Sequence, residues 1–593
     1  MRIRPNLLLP LLLLLAPVHV LGDQESARPG PGAAAISSAH AEATEAGFEV
    51  LAAGGNAFDA AVAVSAALAV VEPASSGIGG GGFWLLERAD GFATMVDGRE
   101  TAPGAATADM YLDENGEFVR ELAIDGALAA GIPGAPAAWA HIAETYGRLP
   151  LSASLAPAVR LAEQGFAVDL KYQQLLNWRA HVMLRWPETA AIFMPGGELP
   201  DIGDVIVQTD LAATLKRLAE HGPDGFYRGE TAEKLVEGVR AEGGIWTLAD
   251  LAGYRVVERD PITIEFGDYT LLTAPPPSSG GIAIAQILKL IEPFGYFELD
   301  RVDRVHLLAE AMRRAYRDRA LYLGDPDFAD IPTDLLLGDD YAAGVRTTIR
   351  MDRALPSAHL AADPDRLDDS TNTTHFSLID AEGNRVSATL TVNLPYGAGY
   401  APPGTGVLLN NEMDDFAAKA GEPNAYGLIG FRANAIEPGK RMLSSMSPTI
   451  IHGPDRLAVL GTPGGSRIIT MVLLGILDFL DGNGPESWVS KPRFHHQYLP
   501  DRISVERDAL TDDEIAELEA RGHDVEVRAR PWGNMHGVMW DYESNTLEAA
   551  HDPRWESGGA EVRVVRDQER DQGRGTSEER RSVANPPIQH SRP

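Results

Sequence analysis

The hydroxyl-rich run Asn372-Thr373-Thr374-His375-Phe376-Ser377 is the segment with the most chemical content. A polar, loop-like stretch, Asp363 to Asn372, leads straight into residues that read as a strand, Thr374 to Ile379. Taken alone, Thr373 has two readings. One is an ordinary solvated strand start. The other is a nucleophile. A threonine hydroxyl attacks poorly until a base takes its proton, and an N-terminal threonine carries that base as its own α-amine. The second reading requires the chain to be cut before Thr373.

Other signals are weaker or negative. Gly77-Ile-Gly-Gly-Gly-Gly82 matches a dinucleotide fingerprint in spelling but follows a helix and leads into a strand, the reverse of the order that fold needs. It reads as a tight backbone approach or plain packing. There is no G-x-S-x-G elbow, no H-E-x-x-H and no Walker A loop. His495 and His496 are adjacent, so in a strand they point to opposite faces and read as structural.

The elements that must position these residues alternate between helical and strand patterns. Helices are expected at 39–53, 57–71, 152–164, 209–220, 230–241, 282–292 and 303–322, the second of them apolar on nearly every side and hence buried. Strands are expected at 83–88, 374–379, 386–392, 405–409, 447–452 and 457–461. Asp380-Ala-Glu-Gly-Asn384 reads as a turn with Gly and Asn placed for positive φ, making a hairpin of the strands around it. Pro275 to Gly281 is a stiff turn, and Ser466 to Leu480 is a helix entered through Gly464-Gly465.

Composition bounds the function class. The 593 residues carry a net charge of −34, which argues against a nucleic-acid binder. With 44% hydrophobic and 23% charged residues the chain is globular. It has no cysteine, which excludes disulfides, thiolate metal sites, a cysteine nucleophile and lipoprotein processing. Only 7 of 51 basic residues are Lys. This fits a moderately acidic exported enzyme better than a halophile, for which stability rising steeply in molar salt would be the sign. Arg2 and Arg4, an apolar Leu7–Leu15 and a short exit to Gly22 read as a signal peptide over 1–22, cleaved near Gly22. The apolar stretch is shorter than the roughly 20 residues of a membrane span. The mature protein is therefore expected to be periplasmic or secreted, with no span. Residues 23–35 read as a linker and 566–593 as a disordered polar tail.

The chain resembles the gamma-glutamyltransferase (glutathione hydrolase) proenzymes, of the N-terminal nucleophile hydrolase superfamily. The resemblance is carried, in the family's order, by Gly54-Gly-Asn-Ala-Phe-Asp-Ala-Ala-Val-Ala63, Gly79-Gly-Gly-Gly-Phe83, Arg99-Glu-Thr-Ala-Pro103, Thr373-Thr-His-Phe-Ser377, Leu409-Asn-Asn-Glu-Met-Asp-Asp-Phe416, Leu443-Ser-Ser-Met-Ser-Pro-Thr449 and Pro463-Gly-Gly-Ser-Arg-Ile-Ile469. It implies an α+β, four-layer αββα fold built jointly by two subunits, 23–372 and 373–593, made when Thr373 attacks the carbonyl of Asn372. The two products then form a heterodimer and one domain. It also implies a γ-glutamyl–Thr373 acyl-enzyme formed from glutathione or a related amide, resolved by water or by an amino acid or dipeptide.

The same resemblance assigns the site. Thr391 is the second threonine that hydrogen-bonds the nucleophile; a hairpin brings its two ends together, so the spacing is reasonable. Gly464 and Gly465 form the oxyanion hole at a helix start. Arg99, Ser444 and Ser445 take the substrate's α-carboxylate, and Asn393, Glu412 and Asp415 its α-ammonium. Tyr426 is the tip of a lid loop, Glu422 to Leu428, which could also be an ordinary exposed turn. No cofactor or metal is implied. Three rivals remain. A glutaryl-cephalosporin-type acylase would not need Asn393, Glu412 and Asp415 together. A poly-γ-glutamate depolymerase sits poorly with a lid. A catalytically dead secreted binding protein sits poorly with intact Thr373, Thr391, Gly464 and Gly465.

Overall fold

The computed structural model describes residues 28–360 and 373–564. The expected signal segment, the stretch ending at Asn372 and the 566–593 tail lie outside them. Two antiparallel sheets face each other. The first runs, in spatial order, Gly559–Arg563, Ala34–Ser38, Thr374–Ile379, Arg385–Thr391, Gly81–Glu87, Ala93–Gly98 and Val257–Arg259. The second runs Thr546–His551, His536–Asp541, Arg456–Gly461, Thr449–His452, Tyr269–Thr273 and Ile262–Phe266. Each sheet combines strands from before residue 361 with strands from after residue 372, so the two parts share one fold.

Period-2 alternation explains the layering. In the first sheet Ile36, Trp84, Leu86, Phe376, Leu378 and Val386 pack under a helical layer that includes Ala41–Ala52, Ala57–Val71 and Leu151–Gln164. Ala35, Leu85 and Ile379 point the other way and meet Ile450, Leu457, Val459, Val538 and Trp540 of the second sheet. The outer face of that sheet is covered by helices Gly280–Ile291, Arg301–Tyr322 and Ile468–Leu480. The result is the expected four-layer αββα arrangement.

The helix Ala57–Val71 is buried along its whole length. Asn56 and Asp59 form a capping box at its start, each side chain bonding the other's backbone N–H. The hairpin turn is tied to the same helix end. Asp380 accepts from the backbone N–H of Glu382, Asn384 and Ala57, all at 2.9 Å. Of the two turn residues expected at positive φ only Gly383 has it, at 93°. Asn384 instead donates its side-chain amide to Asp380 at 2.8 Å.

Three expectations are corrected. Residues 34 and 35, read as linker, begin the strand Ala34–Ser38, because pairing with Gly559–Arg563 over 500 residues away decides it. Residues 405–409 are not a strand. Gly404 and Gly406 have φ of 68° and 65°, which bends the chain out of any ladder. The expected helix at 466–480 is a short 3-10 turn, Gly465–Arg467, followed by Ile468–Leu480.

The glycine run before Gly81–Glu87 works by close approach. A Cβ on Gly79 would collide with the Leu408 carbonyl, and one on Gly80 with the Thr391 carbonyl. The run lets the neighbouring backbones close around the end of the hairpin. His495 bonds Thr470 and Gln497, at 2.9 and 2.8 Å, while His496 bonds Asp501 and Arg313. The neighbouring rings therefore serve separate networks.

Candidate active site

Thr373 immediately precedes the strand Thr374–Ile379, near the middle of the first sheet. Alternation sends its neighbours to opposite sides. Thr374 Oγ1 donates to Glu72 Oε2 at 2.5 Å, on the side of the helix Ala57–Val71, and Glu72 also pairs with Lys171. His375 points to the second sheet, where its nitrogens contact the hydroxyls of Thr389, at 2.9 Å, and Ser377, at 3.1 Å. Burial lowers its pKa to about 3, so the imidazole is neutral. Thr373 belongs to the face of His375.

The hairpin register pairs Arg385 with Ile379 and continues to Leu390 with Thr374. One step further sets Thr391 across from Thr373. Both side chains are buried, and Thr391 Oγ1 accepts the backbone N–H of Asn393 at 2.8 Å. The pair opens into a small, narrow cavity. Its walls include Arg99, Asn393, Glu412, Asp415, Tyr426, Ser444, Ser445 and Gly465, so the fold gathers nearly every expected site residue from segments more than 300 residues apart. Gly464 is adjacent to this wall but not part of it.

Charge is unevenly placed around the cavity. Arg99 follows the strand Ala93–Gly98 and is 1% exposed. Its two terminal nitrogens donate to Glu412 Oε2 at 2.5 Å and Asp415 Oδ2 at 2.6 Å, and Nε donates to the Met442 carbonyl. The acids expected to receive an ammonium are thus the partners of the arginine expected to receive a carboxylate. Residue types alone do not reveal such pairing. A buried guanidinium needs carboxylates, and the short turn Glu412–Asp415 brings two.

Glu100, also fully buried, adds a third carboxylate 3.5 Å from Arg99, and neither of its oxygens has a hydrogen-bond partner among the described residues. Burial works against the Arg99 charge, but Glu412, Glu100 and Asp415 hold its pKa above the usual arginine value. Burial pushes Glu412 up to about 7 and Glu100 well above the carboxylate range. Glu100 is therefore held neutral, and Arg99 shares its charge between Glu412 and Asp415, whose ionised forms a cationic ligand group would favour.

At the other side of the cavity, Gly464 and Gly465 have φ of 147° and 55° and lead into the helix Ile468–Leu480. Backbone N–H groups at such a start are short of helical partners and favour negative charge. Tyr426 is 7% exposed rather than an exposed turn residue. Its hydroxyl donates to the Asn393 carbonyl at 2.8 Å, and its ring lies against Gly465. The loop is latched to the acid turn from below. Asp414 Oδ2 accepts from the Ala425 N–H, and Asp415 Oδ1 from the Asn424 side chain, both at 3.0 Å.

Residue-by-residue reading passed over Asp414, Glu100 and Glu72. Asp414 and Glu100 stand inside the segments Leu409–Phe416 and Arg99–Pro103. Asp414 adjoins Asp415 and Glu100 adjoins Arg99, neighbourhoods that only burial makes unusual.

The gamma-glutamyltranspeptidase family model matches residues 43–562. A glutathione hydrolase proenzyme of Pseudomonas sp. (strain A14) is 43% identical over 538 residues, covering 87% of this chain and 92% of the relative. That of Escherichia coli (strain K12) is 41% identical over 524 residues, covering 88% and 90%. Among solved structures, the cephalosporin acylase from Bacillus halodurans superposes with a TM-score of 0.79 at 29% identity, over 90% of this chain and 96% of that one.

Proposed function

The chain belongs to the gamma-glutamyltranspeptidase family, and from that premise we propose how its own residues carry out γ-glutamyl transfer from glutathione and related amides. In the first stage Thr373 Oγ1 attacks the carbonyl carbon of Asn372. The peptide C–N bond breaks, an ester forms, and water hydrolyses it to a free Asn372 carboxylate and a free Thr373 α-amine. The products, 23–372 and 373–593, stay together as a heterodimer because both sheets are shared between them.

In the second stage the α-amine takes the Thr373 hydroxyl proton while Oγ1 attacks the γ-carbonyl of the donor. Thr391 orients the nucleophile. The N–H groups of Gly464 and Gly465 receive the oxyanion. The departing amine takes the proton back, leaving a γ-glutamyl ester on Thr373. Water, or the amine of an amino acid or dipeptide, then attacks that ester, and the cycle closes. Asn393, Glu412 and Asp415 receive the donor's ammonium. Arg99, Ser444 and Ser445 engage its carboxylate, and Tyr426 covers the acyl group. The enzyme works outside the cytoplasm once residues 1–22 are removed.

The observation that carries this reading is the facing of Thr373 and Thr391 at the mouth of one acid-rich cavity. The acylase reading shares the fold but leaves the buried acid turn without an ammonium to bind. The test is a denaturing gel with N-terminal sequencing of each band, followed by assay with L-γ-glutamyl-p-nitroanilide. Two bands, one beginning Thr-Thr-His-Phe, with release of nitroaniline are expected. A single persistent chain, or hydrolysis of glutaryl but not glutamyl anilide, would refute it.

A further inference from the structure

Arg319 lies on the helix Arg301–Tyr322, which covers the second sheet, and is 5% exposed. Among the described residues no carboxylate oxygen comes within ion-pairing distance of it. Its hydrogen-bond partners are hydroxyls. Nε donates to Ser279 Oγ at 3.0 Å and Nη2 to Ser445 Oγ at 3.4 Å. Ser279 Oγ passes its own proton to the Ser444 carbonyl at 2.7 Å. One buried guanidinium therefore braces both serines of the Ser444-Ser445 wall. Because Ser445 Oγ accepts from Arg319, its proton remains to be donated into the cavity that it lines.

A buried cation without a partner carboxylate is costly, and such charges persist where a ligand completes them. Burial draws Arg319 down to about 10, with Asp415 and Tyr316 offsetting part of that, so it stays charged at neutral pH. Arg99, by contrast, already has a carboxylate on each terminal nitrogen.

Resting on the γ-glutamyl reading above, we propose that Arg319 is the positioning residue and buried counter-charge for the donor's α-carboxylate, acting through the Ser445 hydroxyl. The zwitterionic end of the donor then meets two unlike walls. Its ammonium faces the Glu412–Asp415 turn, and its carboxylate faces the serine pair with Arg319 behind.

The experiment compares two probes on the self-processed enzyme, L-γ-glutamyl-p-nitroanilide and the same anilide with its α-carboxylate converted to a carboxamide. Wild type should prefer the acid. Arg319→Gln should raise KM for the acid donor about tenfold or more, with kcat little changed and the amide donor barely affected, so that the acid preference collapses. Arg319→Lys should restore most of it, because charge rather than shape is required. Arg319→His covers the case in which Arg319→Gln does not process: its acid preference should rise as pH falls and the imidazole charges, and a ratio fixed at the wild-type value would overturn the proposal. An Arg319→Gln enzyme that keeps the wild-type acid-to-amide ratio would overturn the proposal, as would an equal loss for both donors. Collapse of the ratio in Arg99→Lys but not in Arg319→Gln would leave the carboxylate to Arg99 and the serine pair alone and overturn the role of Arg319. A wild type that hydrolyses neither probe would refute the γ-glutamyl reading itself.

Discussion

Tyr426 and Gly465 meet ring against backbone, so closely that a Cβ on Gly465 would overlap the aromatic ring. The expected lid residue and the expected oxyanion donor are therefore one packed unit. Gly465 also has φ of 55°, which disfavours a side chain independently. Gly465→Ala should process slowly and lose kcat by about 100-fold or more, the range for removing an oxyanion donor. Single-turnover release of nitroaniline would check it, and near-normal kcat would remove Gly465 from that role.

The Thr391 hydroxyl accepts from Asn393 N–H and faces the Glu412 carboxylate, while its strand pairing with Gly81 runs through the backbone and survives substitution by Ala. Thr391→Ala should therefore fold and bind donor with a KM near wild type but turn over slowly. Thr373→Ala should remain one uncut chain with no activity. Thr373→Ser should process, since the hydroxyl and the α-amine both survive. Mass spectrometry of the products reads the two Thr373 variants, and nitroanilide kinetics reads Thr391→Ala.

The acid turn should make donor binding pH-dependent. Burial raises Glu412 to about 7, so it is ionised above that pH and takes a proton below it. The ionised form attracts an ammonium as a charge, whereas the protonated form offers it only a neutral acceptor. KM for the donor should therefore rise as pH falls through 7, and Glu412→Gln should flatten that limb. An unchanged profile in the variant would place the titration elsewhere. Stability runs the other way. A carboxyl held above its usual value contributes stability below about pH 4.5 that is lost as pH rises through about 7.

Removing the single cation from the acid cluster should cost more than binding. Arg99→Ala leaves Glu412, Asp415 and Glu100 buried together. Breaking a buried pair from one side typically costs about 3–5 kcal/mol. A clear drop in melting temperature is expected at pH 8, smaller at pH 5, where the carboxyls can be neutral. Donor KM should rise further than processing slows.

The last described strand, Gly559–Arg563, completes the first sheet beside Ala34–Ser38. Truncation before 559 should destabilise the enzyme strongly, because it bares a strand edge. Removing 566–593 alone should leave activity and melting unchanged. Loss of activity in the shorter deletion would give the tail a role.

What the sequence alone determined is what short-range physics controls. The hairpin from Thr374 to Thr391 was legible because alternation and the Asp380–Asn384 turn act over a few residues. The buried helix Ala57–Val71 was legible because nothing polar interrupts its surface after Asp59 except Ser65. The ordered motifs named the cavity's residues one at a time. Tertiary structure alone decided how they are joined. Ala34–Ser38 becomes a strand through partners more than 300 residues on, and Thr405–Leu409 fails to become one because its glycines turn it away. Arg99 finds its carboxylates 313 and 316 residues away, and Arg319 sits among hydroxyls of Ser279 and Ser445, which lie on other segments of the chain. Ionic pairing and burial depend on distances in space that no local pattern encodes, so the charges of this site became readable only when the chain had been closed on itself.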